Sequence, residues 1–105
     1  MAQEPSYTDD VLNSCVLFAR LISPFDFHWV ASAKDLHPLG KAPVVGGIVV
    51  FRAGKIFGKD GHMATILRNN TASSTLDVVE ANYKKGAITV RTISKWDKEI
   101  LGFFP

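Results

Sequence analysis

The chain has 105 residues, of which 47% are hydrophobic and 21% charged, with 12 basic and 10 acidic side chains giving a net charge of +2. That length suits a single domain, the composition excludes a disordered chain, and charge scattered this evenly argues against a nucleic-acid partner. Cys15 is the sole cysteine, which excludes an internal disulfide and any multi-cysteine zinc site.

Residues 1–7 are polar and read as a loose tail, without the basic and apolar regions of a secretory signal. No apolar run approaches the ~18 residues of a membrane span. The expectation is a monomer made in the cytoplasm, without stable membrane association, whose work outside the cell would need an export route.

Residues 8–22 carry helical periodicity, with Val11, Leu12, Cys15, Phe18, Ala19 and Ile22 at three- and four-residue spacing, and Ser23-Pro24 ends the run. Thr8 is one candidate cap, for a helix over the whole stretch. Asn13 is also a good N-cap residue; with Asn13 as the cap, or with a kink there, Cys15 falls in the first turn. In that turn, unpaired backbone amides and the positive end of the dipole favour a thiolate.

Pro24, Pro38, Gly40 and Pro43 break up residues 24–43, and Phe25, Phe27 and Trp29 bunch between them. A short helix over 29–36 and then a loop are predicted. From Val44 the character turns to β: strands over 45–51 and 62–68, with turn-rich 53–61 between them, and a polar turn over 69–74. A third strand covers 76–83, Lys84-Lys85-Gly86 makes a tight hairpin into 87–93, and 100–104 supplies a last short strand. The plan is α+β, one N-terminal helix packed on a five- to six-stranded antiparallel sheet.

A cysteine nucleophile needs a base to take its proton, and the base needs a third group to fix its tautomer. His62 follows Gly61 at the start of a strand and is the leading base, with His28 and His37 its chemical equals. Glu80 and Asn82 stand two apart on the next strand and so share a face. If the strands of His62 and Glu80 pair as a hairpin, one of the two reaches the imidazole. Taken singly, each has a plainer reading: a lone cysteine on an apolar helix face as packing, a histidine after glycine as a turn residue, and Glu-x-Asn as a solvated strand face. Phe27 and Trp29 are read as groove lining or core.

The joint arrangement is more informative. Asn13-Ser14-Cys15-Val16-Leu17-Phe18-Ala19-Arg20, Val45-Gly46-Gly47-Ile48-Val49-Val50-Phe51, Gly61-His62-Met63-Ala64-Thr65-Ile66 and Glu80-Ala81-Asn82-Tyr83 resemble, in order, the motif blocks of CHAP domains. These are the cysteine, histidine-dependent amidohydrolase/peptidase members of the papain-like superfamily. Ile88-Thr89-Val90-Arg91-Thr92-Ile93 looks like the strand after the Glu-x-Asn block, and the closing Ile100-Leu101-Gly102-Phe103-Phe104-Pro105 is similar to the end of the related NlpC/P60 hydrolases.

The resemblance covers roughly residues 10 to 105 and implies a papain-like fold. It also implies Cys15 as nucleophile, His62 as general base, Glu80 as the residue orienting the histidine, and Asn82 as the polar residue completing the site. The implied activity is hydrolysis of amide bonds in peptidoglycan, as an endopeptidase or an N-acetylmuramoyl-L-alanine amidase of the phage-lysin or antibacterial-effector kind. A protease or isopeptidase acting on a protein substrate, and an inactive binding module, are the competing readings. Asp9 and Asp10 lack the spaced Asp-x-Asp pattern of calcium-binding relatives, so no metal or other cofactor is expected. The interval from Cys15 to His62 is short for the family, which implies a trimmed groove, and no wall-binding module accompanies the expected domain.

Overall fold

The computed structural model describes residues 14–27 and 29–105. The expected helical stretch over 8–13, the caps Thr8 and Asn13, the 1–7 tail, Asp9, Asp10 and His28 lie outside the described residues. Helix α1 (Cys15–Ile22) begins directly at the cysteine. Ser14 is its N-cap: the backbone there is extended, and the Ser14 hydroxyl accepts the Leu17 N–H at 3.2 Å. Cys15 is therefore the first helical residue.

The helix ends at Ser23, whose N–H closes on the Ala19 carbonyl before Pro24. Val16 and Ala19 turn inward to meet Phe27, Val30, Ala33, Leu36, Ile48, Val50 and Met63, and Cys15 packs partly buried on the edge of this cluster. Phe27 is thus core, edge-on to Phe104 at 5.8 Å, whereas Trp29 is 49% exposed.

The five strands are β1 (Ile48–Phe51), β2 (His62–Asn70), β3 (Thr75–Ala81), β4 (Ile88–Ser94) and β5 (Ile100–Phe104), in the order β4-β3-β2-β1-β5, with every pairing antiparallel. Alternation splits β1 and β2 cleanly. Ile48, Val50 and Met63 face α1, while Val49, Phe51, Ala64 and Ile66 face the other way and pack with Leu76, Val78, Ile93 and Phe103. Both faces of the central strands are buried, which explains why β1 reads as an unbroken apolar run.

Several expected elements differ from those observed, among them the strand expected over 62–68, which runs on to Asn70. The helix over 29–36 is a single 3-10 turn, Ala33–Asp35. The Lys34 N–H there bonds to the Asp60 carbonyl at 3.0 Å, so tertiary pairing replaces a helical bond. The strand expected from 45 starts at Ile48, because Val44 to Gly47 form a turn with Gly46 at φ +86°. The strand expected to 83 stops at Ala81, since Asn82 takes φ +64° and opens the hairpin turn.

One irregularity decides where the chemistry falls. Asn70, Asn69 and Arg68 pair with Thr75, Leu76 and Asp77, but Ile66 then pairs with Val78 and Thr65 with Val79. Leu67 is the extra residue of a β-bulge, and it is exposed. An unbroken ladder would put Glu80 opposite Thr65, on the face away from His62; the one-residue slip returns Glu80 to His62's face.

Gly61 sets the start of β2. It adopts φ +72°, and a Cβ there would collide with the Phe51 carbonyl oxygen. Gly61→Ala is expected to cost about 1–3 kcal/mol in urea unfolding. Wild-type stability in that variant would show that the turn tolerates a side chain.

Candidate active site

Three of the four expected site residues form one chain of contacts at the N-terminal end of α1. The Cys15 side chain is near enough to the His62 imidazole to favour its charged form, as Glu80 does. His62 Nε2 lies 2.8 Å from Glu80 Oε1. A carboxylate only accepts, so Nε2–H donates, leaving Nδ1 of the neutral ring unprotonated and able to take a proton. His62 is 4% exposed and Glu80 fully buried.

Asn82 occupies a different place from the one expected. It is not on the strand face beside Glu80, because β3 has ended. Its Oδ1 accepts the Gly86 N–H at 3.3 Å, and its backbone N–H bonds to the Ala87 carbonyl, so it shapes the β3–β4 turn. It nevertheless borders the cavity of about 300 Å³ that holds Cys15, together with Ser14, Phe57, Lys59 and Asp60. His37 does not line this cavity. A second depression of about 320 Å³, between Leu17, Leu21 and Phe25, contains none of the four expected residues.

Side chains that sequence reasoning had not assigned to the site complete it. Phe57 stacks on the imidazole, ring planes 4° apart and centroids at 5.2 Å. A small loop closed by paired Gly54 and Gly58 backbone bonds of 2.9 and 2.8 Å carries it. Arg91 grips Glu80 with two donors, Nε to Oε2 at 2.7 Å and Nη2 to Oε1 at 2.9 Å. Its guanidinium lies 3.7 Å from the centre of the Tyr83 ring. Arg91 was legible in principle: a hairpin about Lys84-Lys85-Gly86 sets Val78 opposite Arg91, one diagonal step from Glu80.

These contacts fix the charges. Burial pushes the His62 imidazolium toward losing its proton, but hydrogen bonds to Cys15 and Glu80, and the charges of both, outweigh that and hold its pKa above the ordinary value. Burial likewise pushes Glu80 up, and the bonds to His62 and Arg91 overcome it, holding the carboxyl below its ordinary range. The arrangement is a thiol, an imidazole and an ionised carboxylate in sequence, opening on a cavity. Chemically, it suits proton transfer from the thiol to the ring.

No family model matches the chain, and no curated protein does. Among solved structures the chain is similar to Ly7917, with a TM-score of 0.61 at 20% sequence identity, over 85% of this chain and 51% of that one. The chain spans about half the length of that protein. At this identity the likeness shows the fold, which over the described residues is an α+β arrangement of helix α1 and a five-stranded antiparallel sheet.

Proposed function

We propose that the chain is a papain-like cysteine amidohydrolase of the CHAP kind that cleaves amide bonds in peptidoglycan. The observation that carries the reading is the Cys15–His62–Glu80 sequence of contacts, with the cysteine in the first turn of a helix and at the wall of a cavity. His62 Nδ1 takes the Cys15 proton. The thiolate attacks the amide carbon, and the Cys15 N–H, which in the first turn has no intrahelical acceptor, donates to the oxyanion.

His62 then returns its proton to the leaving nitrogen as the C–N bond breaks. Water hydrolyses the thioester with His62 again acting as base. Throughout, Glu80 holds Nε2–H and stabilises the imidazolium that forms. Asn82, at the cavity wall, is assigned to bracing the site, because its Oδ1 accepts the Gly86 N–H of the hairpin turn.

The wall substrate rests on the sequence resemblance, whereas the nucleophile rests on geometry. A protein or isopeptide substrate would use the same centre. Digestion of sacculi from several bacteria by the purified chain, with mass spectrometry of the released fragments, separates the two. New amine ends on stem peptides or cross-bridges are expected, and intact sacculi from every species tested would sink the wall assignment.

A further inference from the structure

Arg91 is a partly buried charge that the chemistry above leaves unused. We propose that it is a positioning residue for this centre, holding Glu80 in one orientation and offsetting its charge so that His62 gives up its proton as readily as it takes it. The proposal rests on the reading of Cys15 and His62 as nucleophile and base.

Glu80 has no exposed surface and only two oxygens. Arg91 Nε takes Oε2 alone, while Oε1 is shared between Arg91 Nη2 and His62 Nε2. The planar fork therefore sets the plane of the carboxylate and with it the approach to the imidazole. The guanidinium itself is fixed from its other side by Tyr83 at 3.7 Å and lies 5.8 Å from the centre of the Phe51 ring. A lysine would retain the charge but lose the fork.

Charge completes the case. A buried carboxylate 2.8 Å from the ring, unopposed, would keep His62 as the cation, and a histidine so held is a poor proton donor to a leaving amine. The two Arg91 donors draw on the same carboxylate and oppose that pull. Among the described residues, the titratable and charged groups around His62 are Cys15 from α1, Glu80 from β3, Arg91 from β4 through Glu80, and Tyr83 from the β3–β4 turn. Lys59 and Asp60 border the same cavity, and Asp97 acts on Arg91 from beyond. Of these only Arg91 contacts Glu80 with a permanent positive charge.

The test follows the His62 ring by NMR through a pH titration and measures Cys15 alkylation by iodoacetamide at pH 7. Wild type, Arg91→Gln, Arg91→Lys and His62→Ala are compared, each checked for a cooperative thermal melt. Arg91→Gln is expected to raise the His62 midpoint by about one pH unit, with Arg91→Lys close to wild type. An unshifted midpoint in folded Arg91→Gln overturns the proposal.

If Arg91→Gln does not fold, Arg91→Lys decides: a wild-type midpoint with alkylation slowed about threefold or more supports the positioning role. Wild-type alkylation in that variant overturns it. A Cys15 whose alkylation is equally fast in wild type and His62→Ala would defeat the underlying nucleophile assignment instead, so the two failures are distinguishable.

Discussion

Cys15→Ala is expected to abolish release of peptide-bearing fragments from sacculi, a loss of about 10⁴-fold or more, with the fold intact. The magnitude follows from the position of the residue. Cys15 supplies the only thiol in the chain, and neither Ser14, whose hydroxyl is committed to the Leu17 N–H, nor any other wall residue of the cavity replaces it as partner of the imidazole. The cost in stability is small, because the side chain sits partly buried at the margin of the core. Release by Cys15→Ala within tenfold of wild type would remove the cysteine from the reaction.

Glu80→Gln is expected to lower activity by about 10²–10⁴-fold and stability by about 2–3 kcal/mol. The substitution preserves shape but not chemistry. Glu80 accepts three bonds, two from Arg91 and one from His62, and whichever way the new amide is turned its NH₂ meets an Arg91 donor. The variant also lacks the negative charge that favours the imidazolium.

The pH dependence of stability carries a signature with a defined sign. Glu80 has its folded pKa depressed below 4.5, so its contribution is complete above that value and disappears as the pH falls through the lower folded value. Glu80→Gln should remove that part of the acid loss. His62 has its folded pKa raised above 6.5; its contribution is complete below 6.5 and disappears as the pH rises through the raised value. That alkaline part should also shrink in Glu80→Gln. Urea unfolding across the acid and alkaline ranges measures both, and an unchanged profile would contradict the charge assignments.

How much of this was legible in the sequence depends on what the local pattern encodes. The three- and four-residue spacing around Cys15, followed by Ser23-Pro24, placed the helix and its end, but left its start open between Thr8 and Asn13, and with it whether the thiol lies in the first turn. Ser14, not Asn13, is the cap in the structure. Apolar runs and turn residues located all five strands, with β5 matched end to end. The 29–36 segment misled because its backbone donors are satisfied by the distant Asp60 loop, a tertiary effect absent from local periodicity.

The site was half visible for the same reason. Cys15, His62 and Glu80 meet, but the meeting requires the bulge at Leu67, and nothing in Ile66-Leu67-Arg68 announces an extra residue. Asn82 was placed on the strand by extending period-two alternation one turn too far. Its left-handed backbone, which asparagine tolerates better than most residues, ends β3 instead. Phe57 lies in the turn-rich 53–61 segment, where no periodicity says which way a side chain points, whereas Arg91 could have been reached through the hairpin register that sets it one diagonal step from Glu80.

The central claim is that His62 activates Cys15, and the most direct measurement is the alkylation rate of Cys15 by iodoacetamide near neutral pH in wild type and His62→Ala. It needs no substrate. The account predicts a fall of at least about tenfold when the imidazole is removed from a folded chain. Equal rates in the two proteins would contradict it, and would leave Cys15 a packing residue at the edge of the core.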